Sequence, residues 1–217
     1  MTIQVGIMHG RLLPPFEGRF QAFPADGWRE EFHNAKAAGL HCIEWIYEKP
    51  HEDANPMASD EGVAEMRRLI AETGVRVSSI CADYYMEKLL IADDGTPNVA
   101  VVDHLRWLIG RAGVLGITYI VLPFVDASSL KTDAQIDGLI ALLKSLAPKA
   151  QDAGVELHLE TDLNPQKFSA LLKSVGSNVV RANFDIGNSA ALGFDPHEEL
   201  TALAPYLGRV HVKARVL

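Results

Sequence analysis

The sequence is poor in the features that mark secreted, membrane and nucleic-acid-binding proteins. Its 217 residues include only two cysteines, Cys42 and Cys81, which predicts reduced core thiols and not a disulfide framework. No apolar run approaches the ~20 residues that a membrane helix needs, and no basic segment followed by an apolar one begins the sequence. Acidic residues outnumber basic ones, with a net charge of −8, which disfavours nucleic acid and anionic membranes as partners. We therefore expect a cytoplasmic protein without a nucleic-acid or membrane partner.

A glycine-rich nucleotide-binding turn is also absent. The first strand-like segment is followed by His9-Gly10-Arg11-Leu12-Leu13-Pro14, which is unlike the dinucleotide-binding fingerprint of an open doubly wound sheet, the main alternative fold. What the sequence does contain is an alternation of short β-rich segments with longer stretches of helical periodicity. Strands are predicted at Ile3–Met8, Cys42–Tyr47, Val75–Cys81, Tyr119–Phe124, Val155–Glu160, Val180–Ile186 and Arg209–Lys213, with helices at 25–38, 60–73, 98–115, 132–153, 164–175 and 195–204.

The last three predicted strands favour a barrel over an open sheet. Each alternates apolar with polar residues, so one face meets helices and the other is polar. A polar inner face fits the lumen of a (β/α)₈ TIM barrel in the α/β class, and no break in composition divides residues 1–217, so a single domain is predicted. A closed barrel needs eight strands, whereas Leu217 follows the seventh directly. We therefore predict a barrel truncated after its seventh strand, lacking the C-terminal eighth βα unit of a longer protein.

Three inward-facing residues near the strand ends are of the types that bind metal ions. Glu160, Asp185 and His211 lie near the carboxyl ends of consecutive strands, and neighbouring strands are ~4.8 Å apart. Two carboxylates and one imidazole suit a divalent ion such as Mn²⁺, Mg²⁺, Co²⁺ or Zn²⁺. The alternative is that each is a solitary polar residue with a local partner. Their common register predicts a metal site.

The segments around these residues are similar to those of a known family. The chain resembles the xylose isomerase-like TIM-barrel family, and within it the sugar phosphate isomerases and epimerases, over essentially its whole length. The resemblance is carried by Leu157–Pro165, Asn183–Ser189 and Val210–Arg215, and more weakly by Gly6–Leu12, Gln21–Pro24, Ile43–Trp45, Asn55-Pro56 and Ser79–Tyr84. It implies Glu160, Asp185 and His211 as metal ligands, with a fourth ligand on an eighth strand beyond Leu217. The chain departs from the pattern at Ala214, where relatives often have aspartate.

The resemblance also implies a reaction. The expected activity is a divalent-metal-dependent sugar or sugar phosphate isomerase or epimerase, in which proton transfer passes through an enediolate that the metal stabilises. Glu160 is expected to be the catalytic base as well as a ligand. The residues expected to bind the substrate are Glu44, His158, Asn188, Lys213 and Arg215. The partner is then a small-molecule sugar or sugar phosphate, and a homo-oligomer is possible.

Two other functions stay open from the sequence. An incomplete ligand set fits a non-catalytic barrel remnant that binds a sugar or a partner subunit. A metal-dependent phosphodiesterase of the apurinic endonuclease type would need more histidine ligands for several zinc ions and a basic surface facing DNA. Only His9, His158 and His211 are predicted near the strand-end face, and the net charge is −8, which disfavours the phosphodiesterase.

Overall fold

Seven parallel strands form one curved sheet in the computed structural model, which describes residues 4–19 and 21–213. Each strand is hydrogen-bonded to the next one in the chain, so the sheet order is the sequence order. The strands are β1 (Gly6–Met8), β2 (Cys42–Ile46), β3 (Arg76–Cys81), β4 (Tyr119–Phe124), β5 (Glu156–Thr161), β6 (Val180–Asp185) and β7 (Leu207–His211). Within the described residues β1 pairs only with β2 and β7 only with β6, so the barrel is open between them. The predicted fold, a TIM barrel truncated after seven strands, is confirmed.

Eight helices connect or follow the strands in the described part of the chain. They are α1 (Trp28–Ala37), α2 (Asp60–Thr73), α3 (Tyr84–Glu87), α4 (Val99–Leu115), α5 (Asp133–Ala153), α6 (Pro165–Val175), α7 (Ile186–Ala191) and α8 (Pro196–Leu203). All six predicted helices are present, and the short helices α3 and α7 were not predicted. Gly74, Gly116 and Gly154 end three of the helices in the left-handed conformation, which glycine adopts without steric cost.

Two strands differ from the sequence prediction by more than one residue at an end. β1 begins at Gly6, later than predicted. β7 was predicted over Arg209–Lys213 but runs from Leu207 to His211, because its pairing with β6 begins between Leu207 and Ala182 and ends between His211 and Asp185. The strand therefore stops where its neighbour stops.

The apolar core lies between the sheet and the helices. On β5, for example, Leu157 and Leu159 are fully buried in the same cluster as Leu142 and Leu143 of α5. Burying a side chain of this size stabilises the fold by about 1.5–3 kcal/mol. Because side chains alternate along a strand, the polar residues of β5 point to the other face, into the barrel. The core thus fixes which residues reach the lumen.

None of the helices in the described ranges is both long enough and apolar enough to cross a membrane.

Candidate metal centre

The ends of β5, β6 and β7 bring the three predicted ligands together. His211 pairs directly with Asp185 in the sheet, and Glu160 lies on the adjoining strand. One ligand atom from each of the three residues lies within 4.8 Å of the other two. The Nδ1 atom of His211 is 3.4 Å from Oε2 of Glu160 and 3.6 Å from Oδ2 of Asp185. The grouping predicted from the strand register is therefore present.

Two asparagine side chains hold the carboxylate of Glu160. The Nδ2 atom of Asn183 donates a hydrogen bond to Oε2 at 2.7 Å, and Nδ2 of Asn188 donates one to Oε1 at 2.6 Å. Asn188 reaches this position because Asp185 caps helix α7, with Oδ1 accepting from the backbone N–H of Asn188 at 2.9 Å. Neutral amides therefore orient Glu160 without cancelling its charge. Asn188, expected to bind the substrate, contacts Glu160 directly.

Glu44 faces the same site from the opposite side of the lumen. Its Oε2 accepts a hydrogen bond from the hydroxyl of Ser79 at 2.7 Å and lies 2.7 Å from Nη1 of Arg209. Its Oε1 lies 2.8 Å from Nε2 of His211. Burial alone would raise the pKa of Glu44, but the positive charges of His211 and Arg209 outweigh it and lower the pKa to about 2. Glu44 is thus an ionised, buried neighbour of the three ligands.

Positive charge at the site comes from His211, Arg209 and Lys213. Burial by itself lowers the pKa of His211, but the charge of Glu44 and the close carboxylates of Asp185 and Glu160 raise it to about 11. Burial also opposes ionisation of Asp185, yet its contacts with His211 and Lys213 leave its pKa below the usual range. Three carboxylates therefore meet three cationic groups at the mouth of the barrel.

The donor set fits a divalent cation. Two carboxylates and an imidazole converge on one point, and their oxygen and nitrogen atoms are the ligands that such ions prefer. Nζ of Lys213 approaches Oδ2 of Asp185 to 2.7 Å, but the angle is too poor for a hydrogen bond. This buried oxygen therefore accepts no hydrogen bond within the described residues, although the charge of Lys213 lies close to it.

One of the predicted substrate-binding residues, His158, lies away from the ligand cluster. His158 sits two residues before Glu160 on β5, where its Nε2 is 2.8 Å from Oε2 of Glu156 and its ring packs beside Tyr119. Gly208 closes against the same ring, since a Cβ atom there would lie 2.5 Å from the histidine. His158 therefore belongs to a separate polar group deeper in the lumen. Arg215 lies outside the described residues.

Several site residues escaped the sequence prediction. Arg209 was predictable from strand alternation, because it precedes His211 by two residues on β7 and so lies on the same inward face. Another group follows the end of β3, where Oδ2 of Asp83 accepts from Nε2 of Gln21 at 2.7 Å and Oδ1 accepts from the thiol of Cys81 at 3.2 Å. Burial raises the pKa of Asp83 to about 6. Asp83 lies beyond its strand, so alternation along the strand gave no signal for it.

The family of the chain follows from comparison with known proteins. The model of the xylose isomerase-like TIM barrel family matches residues 32–216. The chain belongs to this family. A curated relative, L-ribulose-5-phosphate 3-epimerase UlaE from Shigella flexneri, is 27% identical over 214 residues, which cover 89% of this chain and 71% of that protein. The relationship implied by the sequence motifs is therefore confirmed.

Solved structures share the fold at low sequence identity. D-psicose 3-epimerase from Clostridium cellulolyticum H10, in a structure with D-tagatose, superposes with a TM-score of 0.75 at 16% identity, covering 96% of this chain and 72% of that one. A xylose isomerase-like TIM barrel protein from Mycobacterium smegmatis, in complex with magnesium, gives a TM-score of 0.72 at 20% identity, covering 97% and 74%. Both likenesses support the barrel architecture.

Proposed function

We propose that this protein is a divalent-metal-dependent epimerase or isomerase of a sugar or sugar phosphate. The observation that carries the proposal is the convergence of Glu160, Asp185 and His211 within 4.8 Å at the mouth of the barrel. The family assignment supports it, since the curated relative and solved structures of similar fold include sugar epimerases.

Glu160, Asp185 and His211 would hold the cation. When bound, a divalent ion supplies a Lewis acid that stabilises negative charge on adjacent oxygens of a sugar. His211 would bind as a neutral imidazole, so that it gives up its extra proton to solvent on loading. Glu44 and Arg209 stay behind it as an ion pair, 2.7 Å apart.

Glu160 is the residue we assign as the base. Its two oxygens are fixed by the amides of Asn183 and Asn188, and each carboxylate oxygen retains a further lone pair. A carboxylate fixed in this way can remove the proton from the carbon beside a sugar carbonyl. Returning a proton to the same carbon from the opposite face epimerises the sugar, and returning it to the neighbouring carbon isomerises it.

Lys213 stands at the rim of the site. Its side chain is 43% exposed and contacts Asp185 at 2.7 Å. From this position the ammonium group can move towards an anionic part of a substrate without leaving the barrel mouth. The proposal therefore includes phosphorylated sugars as well as neutral ketoses.

Exchange of a substrate proton with solvent tests the proposal. The protein is loaded with Mn²⁺ in deuterated buffer, and deuterium uptake by D-psicose, D-tagatose and L-ribulose 5-phosphate is followed by NMR. We expect uptake at the carbon beside the carbonyl of at least one sugar, and loss of uptake in Glu160→Gln. Glu156→Gln serves as the matched control, because Glu156 is on the same strand but outside the ligand cluster.

Each alternative result has a defined meaning. Sugar binding without deuterium uptake would contradict catalysis and favour a sugar-binding role. Undiminished uptake in Glu160→Gln would exclude Glu160 as the base. Equal loss in Glu160→Gln and Glu156→Gln would point to damage to the barrel and not to the removal of a base.

A further inference from the structure

The two ring nitrogens of His211 face different groups. Nδ1 points to the ligand cluster, 3.4 Å from Oε2 of Glu160 and 3.6 Å from Oδ2 of Asp185. Nε2 lies 2.8 Å from Oε1 of Glu44, which is outside that cluster. One edge of the imidazole therefore faces the cation site, and the other faces a carboxylate on the far side of the lumen.

The amide of Asn183 indicates which nitrogen carries the proton in the neutral ring. Its Nδ2 donates to Oε2 of Glu160 at 2.7 Å, and the reverse orientation of the amide would place its oxygen against a carboxylate oxygen. The same Nδ2 lies 3.1 Å from Nδ1 of His211. When the ring is neutral, Nδ1 can accept from this donor, and Nε2 then carries the remaining hydrogen.

The side chain of Glu44 is fixed by its own contacts, independently of the His211 ring. Its side chain is only 3% exposed, and its Oε2 is fixed by the hydroxyl of Ser79 and by Nη1 of Arg209. The contact between Oε1 and Nε2 of His211 is close but bent, so the attraction between them is mainly electrostatic. The carboxylate is therefore the fixed element of this pair.

We propose that Glu44 is a positioning residue that holds Nε2–H of His211 and so directs Nδ1 to the metal ion. Metal-binding histidines commonly donate their second ring N–H to a carboxylate, which fixes the tautomer and the ring orientation. Ser79 and Arg209 hold Glu44 in turn. The inference rests on the metal site of the proposed function and is independent of the reaction that the site performs.

The first test is the affinity for Mn²⁺ measured by calorimetry. We expect Glu44→Gln to weaken binding by about 10- to 100-fold, the usual loss when such a partner is removed. Glu48→Gln is the matched control, because Glu48 is also a buried glutamate paired with an arginine, at 2.7 Å from Arg19. Its replacement disturbs a comparable ion pair without touching His211. Unchanged affinity in Glu44→Gln, or equal losses in both variants, would overturn the role of Glu44.

The second test reads the ligand atom directly. Protein with isotopically labelled histidine nitrogen is loaded with a magnetic cadmium isotope, and scalar coupling between metal and nitrogen is recorded by NMR. We expect coupling to Nδ1 and a proton on Nε2, with the His211 signals assigned through their loss in His211→Gln. Coupling to Nε2 would overturn the inference whatever the stability of the Glu44 variant.

The outcomes separate this inference from the proposed function. Cadmium bound through Nδ1, with no proton exchange in any sugar, would uphold the role of Glu44 and contradict the epimerase proposal. Proton exchange together with coupling to Nε2 would do the reverse.

Discussion

Two histidines in different regions of the molecule, one fully buried and one 13% exposed, have pKa values shifted in opposite directions. His211 lies in the lumen, at the mouth of the barrel, and its pKa is raised to about 11 against the effect of burial. His9 lies outside the sheet, under α1, where its ring stacks on Trp45 with 3.9 Å between ring centres. Burial lowers the pKa of His9 to about 3. One ring is cationic and the other neutral, although each has a carboxylate nearby.

The difference lies in what else those carboxylates bind. Glu31, whose Oε2 is 3.4 Å from Nε2 of His9, accepts hydrogen bonds from the backbone N–H groups of Gly10 and Leu12. Burial raises the pKa of Glu31, against the effect of these backbone hydrogen bonds. His211 instead faces Glu44, Glu160 and Asp185. A buried histidine stays neutral unless the fold gathers a surplus of carboxylates, and such a surplus is also what a divalent cation requires.

The largest expected effect comes from reducing that surplus with Asp185→Asn. The substitution removes one charged ligand but keeps an oxygen that can accept from the N–H of Asn188. We expect Mn²⁺ affinity, measured by calorimetry, to fall by at least about 100-fold. Removing a ligand weakens metal binding more than removing a residue that only positions a ligand.

Asp103→Asn on the exposed surface of α4 changes the net charge equally and is expected to leave the affinity unchanged. Affinity retained in Asp185→Asn would show that the cluster does not bind the metal.

The next largest effect concerns His9 and the pH dependence of the free energy of unfolding. The folded pKa of His9 is about 3 and the ordinary value is 6.5, so below pH 6.5 the unfolded chain binds a proton that the folded chain does not. Stability is then lost as the pH falls, by about 1.4 kcal/mol per pH unit from this residue. We expect His9→Leu to remove about 2–3 kcal/mol of the stability difference between pH 6.5 and pH 4.5, measured by urea unfolding.

Replacement of His33 by glutamine is the matched control, because it removes a histidine from the exposed surface of α1 and not from the core. A pH dependence unaltered by His9→Leu would mean that His9 is protonated in the folded protein.

The sequence predicts which residues face the lumen better than it predicts which of their side chains contact each other there. Alternation along β5, β6 and β7 identified Glu160, Asp185 and His211, because strand register alone determines that their side chains meet. The contact between Glu44 and His211 crosses the barrel, so its distance depends on the curvature of the whole sheet, which no local pattern encodes. The contact between Asn188 and Glu160 depends on the cap that forms where α7 begins at Ile186, beyond the end of the strand pattern.

The same distinction applies to the fold. Its strands and helices were predictable where local signals define them, and the prediction was displaced where a neighbouring strand defines an end. Strands and long helices follow from periodicity and from glycines such as Gly116 and Gly154, which are local signals. The true start of β7 at Leu207 depends on the neighbouring strand, since the pairing with β6 shifts register between Ala182 and Asn183. The positions of strands and helices that depend on one segment were therefore predicted, and the strand ends of β7, which depend on pairing with β6, were displaced.

The smallest expected effect concerns Lys213, whose ammonium group lies at the mouth of the barrel beside the ligand Asp185. Its ammonium group lies 2.7 Å from Oδ2 of Asp185 and so competes with a metal ion for that oxygen. Because the side chain is 43% exposed, solvent screens the pair and its contribution is small. We expect Lys213→Met to tighten Mn²⁺ binding by roughly 2- to 5-fold in calorimetry, within the range of a surface ion pair.

Lys173→Met on α6 is the control for this experiment, because it removes the same charge from an exposed position outside the site. Tighter binding in Lys213→Met alone would show that the lysine and the metal share one oxygen. Weaker binding would show that Lys213 orients Asp185 for the ion. Metal affinity would then depend on the lysine as well as on the carboxylates.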